Sequence, residues 1–295
     1  MNVQVLGAGA WGGALGRVLR EAGHTVSWSD VGDPTEWRPA LDFVILAIPS
    51  KFLAAALKRW TPVPCPVVSV VKGIEPEGLR CVSEIVGDAW PGARLAALSG
   101  PSFAKEVEAG APTAVVAASF DETLARGVQD LFHRRNFRVY WSTDLAGVEL
   151  GGAMKNVYAI GAGLCSGLGL GDNALAAMVT RALAEMRRLG AALGGRPETF
   201  MGLSGAGDLM LTCYGDQSRN RRVGLALARG MPLAEVEQTV GGIAEGVTTA
   251  HALRGIARKR QLRAPLVEQV AAVLAGERSP AVALEELLSR LPDEE

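Results

Sequence analysis

Two lysines stand where a lysine can do chemistry. Lys72 follows the apolar run Val67-Val68-Ser69-Val70-Val71 and precedes Gly73. That places it at the carboxyl end of a buried strand, where open α/β sheets bind their ligands. Lys155 lies in Gly151-Gly152-Ala153-Met154-Lys155-Asn156-Val157-Tyr158-Ala159-Ile160-Gly161, a stretch too apolar for a solvated face. A lysine there is either functional or reaching outward with its ammonium. Partial burial beside a second cation lowers a lysine pKa, which a proton acceptor near neutral pH requires. A third group is Gly207-Asp208-Leu209, followed by Ser218-Arg219-Asn220-Arg221-Arg222. Its arginines could open a solvated helix. Ser218 and Asn220 around Arg219 also suit a phosphate clamp, a planar fork with neutral donors beside it. The only histidines, His24, His133 and His251, read as surface residues. The proton-transfer group is therefore expected to be a lysine or a carboxylate.

A fourth group is Gly7-Ala8-Gly9-Ala10-Trp11-Gly12, a GxGxxG directly after a strand pattern and opening a helical one. Gly7 permits the tight turn, Gly9 lets backbone approach a pyrophosphate, and Gly12 allows helix and strand to pack closely. The helix start adds free N–H groups and the positive dipole end. A second strand then ends in an acid, Asp30, 21 positions after Gly9. Such an acid accepts hydrogen bonds from the ribose hydroxyls of NAD and opposes the 2′-phosphate of NADP. NAD is therefore the expected cofactor, with NADP as the alternative.

The elements that must position these groups follow from hydrophobic period. Residues 2–6, 24–28, 43–48, 67–71, 95–98 and 114–118 read as strands. Residues 11–22, 52–60 and 79–86 read as helices between them. Continuous apolar strands alternating with helices indicate a parallel sheet covered on both faces. Only about a dozen residues separate Asp30 from Phe43, too few for the usual helix and strand, so this Rossmann-type half is trimmed. Beyond residue 144 nearly all signals are helical: 174–189, 225–228, 233–238, 250–259, 266–274 and 281–291. The division expected is a dinucleotide-binding domain at 1–144 and an all-helical substrate-binding domain at 145–295.

Composition narrows the partners. The 295 residues carry 30 Lys and Arg against 31 Asp and Glu, a net charge of -1. That balance asks for neither nucleic acid nor an anionic membrane. No apolar run reaches the roughly 18 residues of a membrane span. The amino terminus enters a strand pattern at once, so no signal peptide is expected. Cys65, Cys81, Cys165 and Cys213 are scattered without a CxxC pair, which suits reduced thiols in a cytoplasm and no metal site.

With these residues in place, the chain resembles the bacterial NAD(P)-dependent glycerol-3-phosphate dehydrogenases. The resemblance runs through Val5 to Gly12, Val71-Lys72-Gly73-Ile74-Glu75, Leu98-Ser99-Gly100-Pro101-Ser102-Phe103-Ala104-Lys105-Glu106-Val107 and Lys155-Asn156-Val157-Tyr158-Ala159-Ile160-Gly161-Ala162-Gly163. Gly169-Leu170-Gly171-Asp172-Asn173, Gly207-Asp208-Leu209, Ser218-Arg219-Asn220 and Ala244-Glu245-Gly246 extend it in family order. It implies reversible reduction of dihydroxyacetone phosphate to sn-glycerol 3-phosphate, feeding phospholipid synthesis, in a cytoplasmic homodimer. It implies Lys155 as proton acceptor in the oxidation direction and Lys72 touching both substrate and cofactor. Gly100, Ser102, Asp208, Ser218, Arg219 and Asn220 would contact substrate, with Thr212 a further candidate. Gly7, Gly9, Trp11, Gly12, Asp30, Ala104, Arg219, Ile243 and Glu245 would contact the cofactor.

Three departures from the family pattern stand out. Ser166 takes the place of a usual acid, the segment after the second strand is shorter, and Asp30 replaces a common basic residue. Two rival readings remain at this level. A related two-domain dehydrogenase of 3-hydroxy acids would need a carboxylate anchor and would not require the Ser218-Arg219-Asn220 block. A nucleotide-sensing module would bind cofactor without turnover and would not require both lysines.

Overall fold

The structure, a computed structural model, describes residues 1–30, 33, 37–77 and 80–289, with Glu237 described by its backbone alone. The first half alternates β1 (Asn2–Leu6), α1 (Ala10–Glu21), β2 (Thr25–Ser29), β3 (Phe43–Leu46), α2 (Ser50–Leu57), β4 (Val67–Ser69), α3 (Val82–Ala89) and β5 (Leu95–Ser99). It continues through α4 (Ala104–Glu108), β6 (Thr113–Ala118), α5 (Glu122–Phe132) and β7 (Phe137–Ser142). The strands form one sheet in the order β2-β1-β3-β4-β5-β6-β7. Alternate side chains feed two cores. Val3, Val5 and Ile45 pack against α1 and α5, and Leu6, Val44 and Leu46 pack with Leu53, Trp60 and Trp90 on the other face.

The sheet departs from the sequence reading in two places. β5 and β6 pair antiparallel, while β1 to β5 and the β6–β7 pair are parallel. β7 itself lies beyond the last strand read from the sequence, 114–118. Its residues alternate buried and exposed from Phe137 to Tyr140, as on a half-covered edge strand. Its edge is blunted: Gln129 donates to the Val139 carbonyl at 2.7 Å, and the Val139 N–H reaches His133 Nδ1 at 3.2 Å.

Near the end of the short β2–β3 connection, Trp37 joins an aromatic cluster. Trp37 stacks 4.4 Å from Trp60 and stands edge-on 5.6 Å from Trp90. Its indole N–H donates to the Thr61 carbonyl at 2.9 Å. Three large rings thus pack on this face of the sheet, each able to bury 150–250 Å² or so. Gln4, inside β1, holds Ser29 and Arg38: it donates to Ser29 Oγ at 2.9 Å and accepts from the Arg38 N–H at 3.2 Å.

The second half is helical: α6 (Leu145–Gly167), α7 (Gly171–Ala192), α8 (Asp208–Tyr214), α9 (Arg219–Ala228), α10 (Leu233–Thr239), α11 (Glu245–Lys259), α12 (Pro265–Leu274) and α13 (Pro280–Leu288). A 3₁₀ turn (Pro197–Met201) and a π turn (Leu203–Gly207) precede α8. The expected helix start at 79 and the expected end at 291 lie outside the described residues. α6 is buried on nearly every side and packs against α7, α8, α9, α11 and α12. Asp144 caps it, accepting from the Gly147 N–H at 3.0 Å, the Arg196 N–H at 2.8 Å and Thr199 Oγ1 at 2.6 Å. Among the described residues, no helix is long and apolar enough to cross a membrane.

Candidate active site

The ends of β4 and β5 meet α6 and α8 at the carboxyl edge of the sheet. β4 stops at Ser69, so Lys72 stands on the loop beyond it. Its ammonium donates to the Gly100 carbonyl and to Asp208 Oδ2, each at 2.8 Å, and lies 3.5 Å from Ser102 Oγ. Lys155 comes from the middle of α6. It donates to Asp208 Oδ1 and to Thr212 Oγ1, each at 2.9 Å. The Thr212 hydroxyl in turn donates to the Asp208 carbonyl at 2.6 Å. Asp208 opens α8, directly after the π turn, a backbone device that recurs where a functional side chain is re-aimed.

One carboxylate thus holds two ammonium groups. Asp208 is 1% exposed and Lys155 is 7% exposed. Isolated charges at such burial each carry a penalty of several kcal/mol, which pairing and hydrogen bonds offset. Burial pulls the Lys155 ammonium down to about 8; the Asp208 charge opposes the shift and the Lys72 charge adds to it. Burial pushes the Asp208 carboxyl up, but Lys155 and Lys72 outweigh it and hold it below the ordinary value. With two of its three N–H donors engaged, Lys155 keeps one for a ligand oxygen. The arrangement can exchange a proton near neutral pH at a site screened from water.

Behind Lys155 runs a relay of side-chain amides. Asn156 donates to the Lys72 carbonyl at 2.8 Å and accepts from Asn220 Nδ2 at 2.8 Å. Asn220 Oδ1 accepts the Gly246 N–H at 2.9 Å. Ser218 caps α9, its oxygen accepting the Arg221 N–H at 3.1 Å. Arg219 is exposed at the first position of α9. It makes no hydrogen bond or ion pair within 4 Å among the described residues, so its guanidinium is available to an anion. The Glu245 carboxylate accepts from the Ser50 N–H at 3.0 Å and from the Ser50 hydroxyl.

The glycine turn is built as its spacing predicts. Gly7 has φ +108°, and a side chain there would strike the Ala47 carbonyl at 2.7 Å. A side chain at Gly12 would meet the Gly7 carbonyl at 2.1 Å. At Gly9 nothing lies within 4 Å of that position. Gly9 is also the cap of α1 and places no side chain over its first N–H groups. The Trp11 indole N–H is buried without a partner, and the ring lies 6.0 Å from Lys72 Nζ. An open helix start and an orphaned buried donor form a cradle for a phosphate-bearing ligand. Asp30 is exposed just beyond β2. It sits beside this turn, because the Gly7 N–H donates to the Ser29 carbonyl at 2.9 Å. Ala104 opens α4 and, like Trp11, packs partly buried against the core that α1 and α5 cover. Ile243 is half-buried on the loop before α11.

The histidines take no part. His24 bonds the Leu131 carbonyl at 3.1 Å, His133 holds β7, and His251 is exposed on α11. Sequence reasoning assigned no role to Ser50 or Asn156. Asn156 adjoins Lys155 in the same apolar stretch, which is a usable signal. Ser50 follows Pro49 at the end of the β3 run, and only the tertiary structure brings Glu245 to it.

Comparison with known proteins follows the geometry. Residues 29–125 match the N-terminal model, and residues 144–285 the C-terminal model, of NAD-dependent glycerol-3-phosphate dehydrogenase. The chain belongs to that family. Glycerol-3-phosphate dehydrogenase [NAD(P)+] of Desulfovibrio desulfuricans is 45% identical over 324 aligned positions, covering 98% of this chain and 97% of the relative. That of Oleidesulfovibrio alaskensis is 43% identical over 330 positions, covering all of both chains. The crystal structure of glycerol-3-phosphate dehydrogenase from Coxiella burnetii superposes with a TM-score of 0.92 at 34% identity, covering 98% of this chain and 99% of that one. A D-mandelate dehydrogenase, at 12% identity and a TM-score of 0.63, shares the fold alone. With 295 residues, this glycerol-3-phosphate dehydrogenase family member is shorter than its aligned relatives.

Proposed function

We propose that the protein interconverts dihydroxyacetone phosphate and sn-glycerol 3-phosphate with NAD(H), and supplies glycerol 3-phosphate to phospholipid synthesis. The observation that carries this reading is the buried bridge from Lys72 through Asp208 to Lys155. The cofactor reading rests on the open start of α1, the free side of Gly9 and the unpaired Trp11 N–H. Gly7, Gly9, Trp11 and Gly12 hold the dinucleotide's phosphate side, with Ala104 and Ile243 beside it. When bound, the nicotinamide supplies or takes up the hydride.

The chain's own residues do the rest. Lys155 gives a proton to the ketone oxygen during reduction and takes it back during oxidation. Lys72 holds the same region of substrate with Gly100 and Ser102, and its charge keeps Lys155 from binding its proton too tightly. Asp208 orients both lysines and does not itself titrate in the working range. Arg219, with Ser218 and Asn220, receives the phosphate; a three-carbon substrate offers little apolar area, so its charge must supply the affinity.

Asp30 beside the glycine turn supports NAD over NADP, because its carboxylate suits ribose hydroxyls and opposes a 2′-phosphate. The family resemblance supports a cytoplasmic homodimer, which light scattering would measure. The decisive assay follows absorbance at the nicotinamide band with dihydroxyacetone phosphate and each cofactor in turn. Turnover with NADH above NADPH is expected. No turnover with either cofactor, or equal use of a 3-hydroxy acid's ketone, would overturn the reading.

A further inference from the structure

Glu245 and Ser50 lie 195 positions apart in sequence, yet the carboxylate of one accepts both the N–H and the hydroxyl of the other. Glu245 is the first residue of α11 in the helical half, and Ser50 is the first residue of α2 beneath the sheet. Ser50 is fully buried. The pair rests directly on Gly73. A side chain at Gly73 would lie 2.3 Å from Glu245 Oε2 and 2.4 Å from Ser50 Oγ. Only glycine leaves room for the contact at that position.

The residue before Gly73 is Lys72, and its carbonyl is held from the other side by Asn156. Asn156 is bonded to Asn220, and Asn220 to the backbone of Gly246, the residue after Glu245. A closed circuit results: Glu245 to Ser50 and Gly73, along the chain to Lys72, through Asn156 and Asn220 to Gly246, and along the chain to Glu245. Every link that is not covalent joins buried or half-buried groups, where a hydrogen bond is strongest and least replaceable by water.

We infer that Glu245 and Ser50 are positioning residues, an interdomain clasp that fixes the Lys72–Gly73 peptide and through it the ammonium of Lys72. The inference rests on the reading of Lys72 as a substrate-contacting group. The family resemblance implies Glu245 as a cofactor contact. Here both carboxylate oxygens are engaged by Ser50. The clasp also explains why Gly73 must be glycine although it touches no reacting atom.

The test compares Glu245→Ala, Ser50→Ala and the double variant in the full-length protein. Each single variant should lower kcat/KM for dihydroxyacetone phosphate roughly 10- to 100-fold, the worth of a lost hydrogen bond to a charged group. The double variant should be no worse than Glu245→Ala, because both changes remove one interaction. The Kd for NADH, titrated by fluorescence without substrate, should be unchanged in all three. Glu245→Gln keeps an acceptor for the N–H and a donor for the hydroxyl oxygen, so it should restore most of the activity. Gly73→Ala should reproduce the defect by wedging the clasp open, and it carries the test if Glu245→Ala fails to fold. The inference is overturned if Glu245→Ala weakens NADH binding while Ser50→Ala does not, if the two defects multiply, or if the variants match wild type. A wild-type protein inactive on dihydroxyacetone phosphate would instead remove the functional reading itself.

Discussion

Buried Asp208 bonds both the buried Lys155 and the half-buried Lys72, whereas Asp30 stands exposed beyond β2 and Gly9 faces open space. The two ends of the site therefore work in different dielectric conditions. Where water is excluded, a charge two or three ångströms away moves a pKa and a misplaced group has no substitute partner. Where water is present, the same charge is screened and each contact contributes little. Substitutions should lose force in passing from the lysines to the adenosine side, and that gradient can be measured.

The largest effect belongs to Lys155. Lys155→Ala should lower kcat by roughly 10² to 10⁴, the usual contribution of a positioned acid or base, in both directions. NADH affinity should survive. Turnover within a few-fold of wild type would assign the proton transfer to another group. The wild-type pH profile sharpens the point. Below about 8 Lys155 is an ammonium, and above it a neutral amine. Reduction needs the proton, so its kcat/KM should hold at lower pH and fall as pH rises through about 8. Oxidation needs the amine and should rise through the same range. Identical profiles in the two directions would break this assignment.

Asp208→Asn comes next. It leaves two ammonium groups facing each other without a counter-charge. Because the Asp208 charge works to raise the Lys155 pKa, its removal should move the reduction midpoint to lower pH. Removing one partner of a buried ion pair typically destabilises by about 3–5 kcal/mol, so the unfolding midpoint should fall as well. A midpoint that stays put would mean that Asp208 is only a scaffold. Arg219→Lys tests the half-way position, an exposed cation that meets a charged ligand. It keeps the charge and loses the fork. KM for dihydroxyacetone phosphate should rise on the order of tenfold, the worth of one charge-assisted bond, with kcat little changed. Equal use of phosphorylated and unphosphorylated ketone by the wild type would remove the clamp.

The gradient also describes what the sequence makes legible. Lys155 is conspicuous because a lone cation in an apolar, glycine-rich stretch has no solvated explanation. The glycine turn is conspicuous because its spacing answers a local geometric need. The trimmed crossover can be counted from Asp30 to Phe43, but the Trp37, Trp60 and Trp90 cluster near its end cannot, since it joins three separate segments. Strand direction is equally hidden: the apolar run of β6 has the same period whichever way it points. β7 alternates buried and exposed over only four residues, Phe137 to Tyr140, a short signal for a strand. That one carboxylate, Asp208, serves both lysines is a tertiary fact. So are the Asn156 relay and the seat of Glu245 on Ser50.

The smallest effect is expected at Asp30. The residue is exposed beside the glycine turn, and its backbone N–H already donates to Asp33 Oδ2 at 2.6 Å. Only the side chain can therefore discriminate between cofactors. A like-charge contact with a 2′-phosphate in solvent is worth about 1 kcal/mol or less, so the wild-type preference for NADH over NADPH should be tenfold or below in kcat/KM. Asp30→Arg replaces repulsion by a planar donor for phosphate, and should bring NADPH level with NADH or slightly ahead. Both numbers should shrink as salt is added, because the Debye length contracts from about 10 Å at 0.1 M to 3 Å at 1 M. Kinetics with each cofactor at two salt concentrations measure the preference and its screening together. A wild-type preference for NADPH would show that a cation, not Asp30, sets the choice. A preference of several hundredfold for NADH, insensitive to salt, would show that Asp30 is drawn out of solvent on binding, and the contrast between the two ends of the site would close.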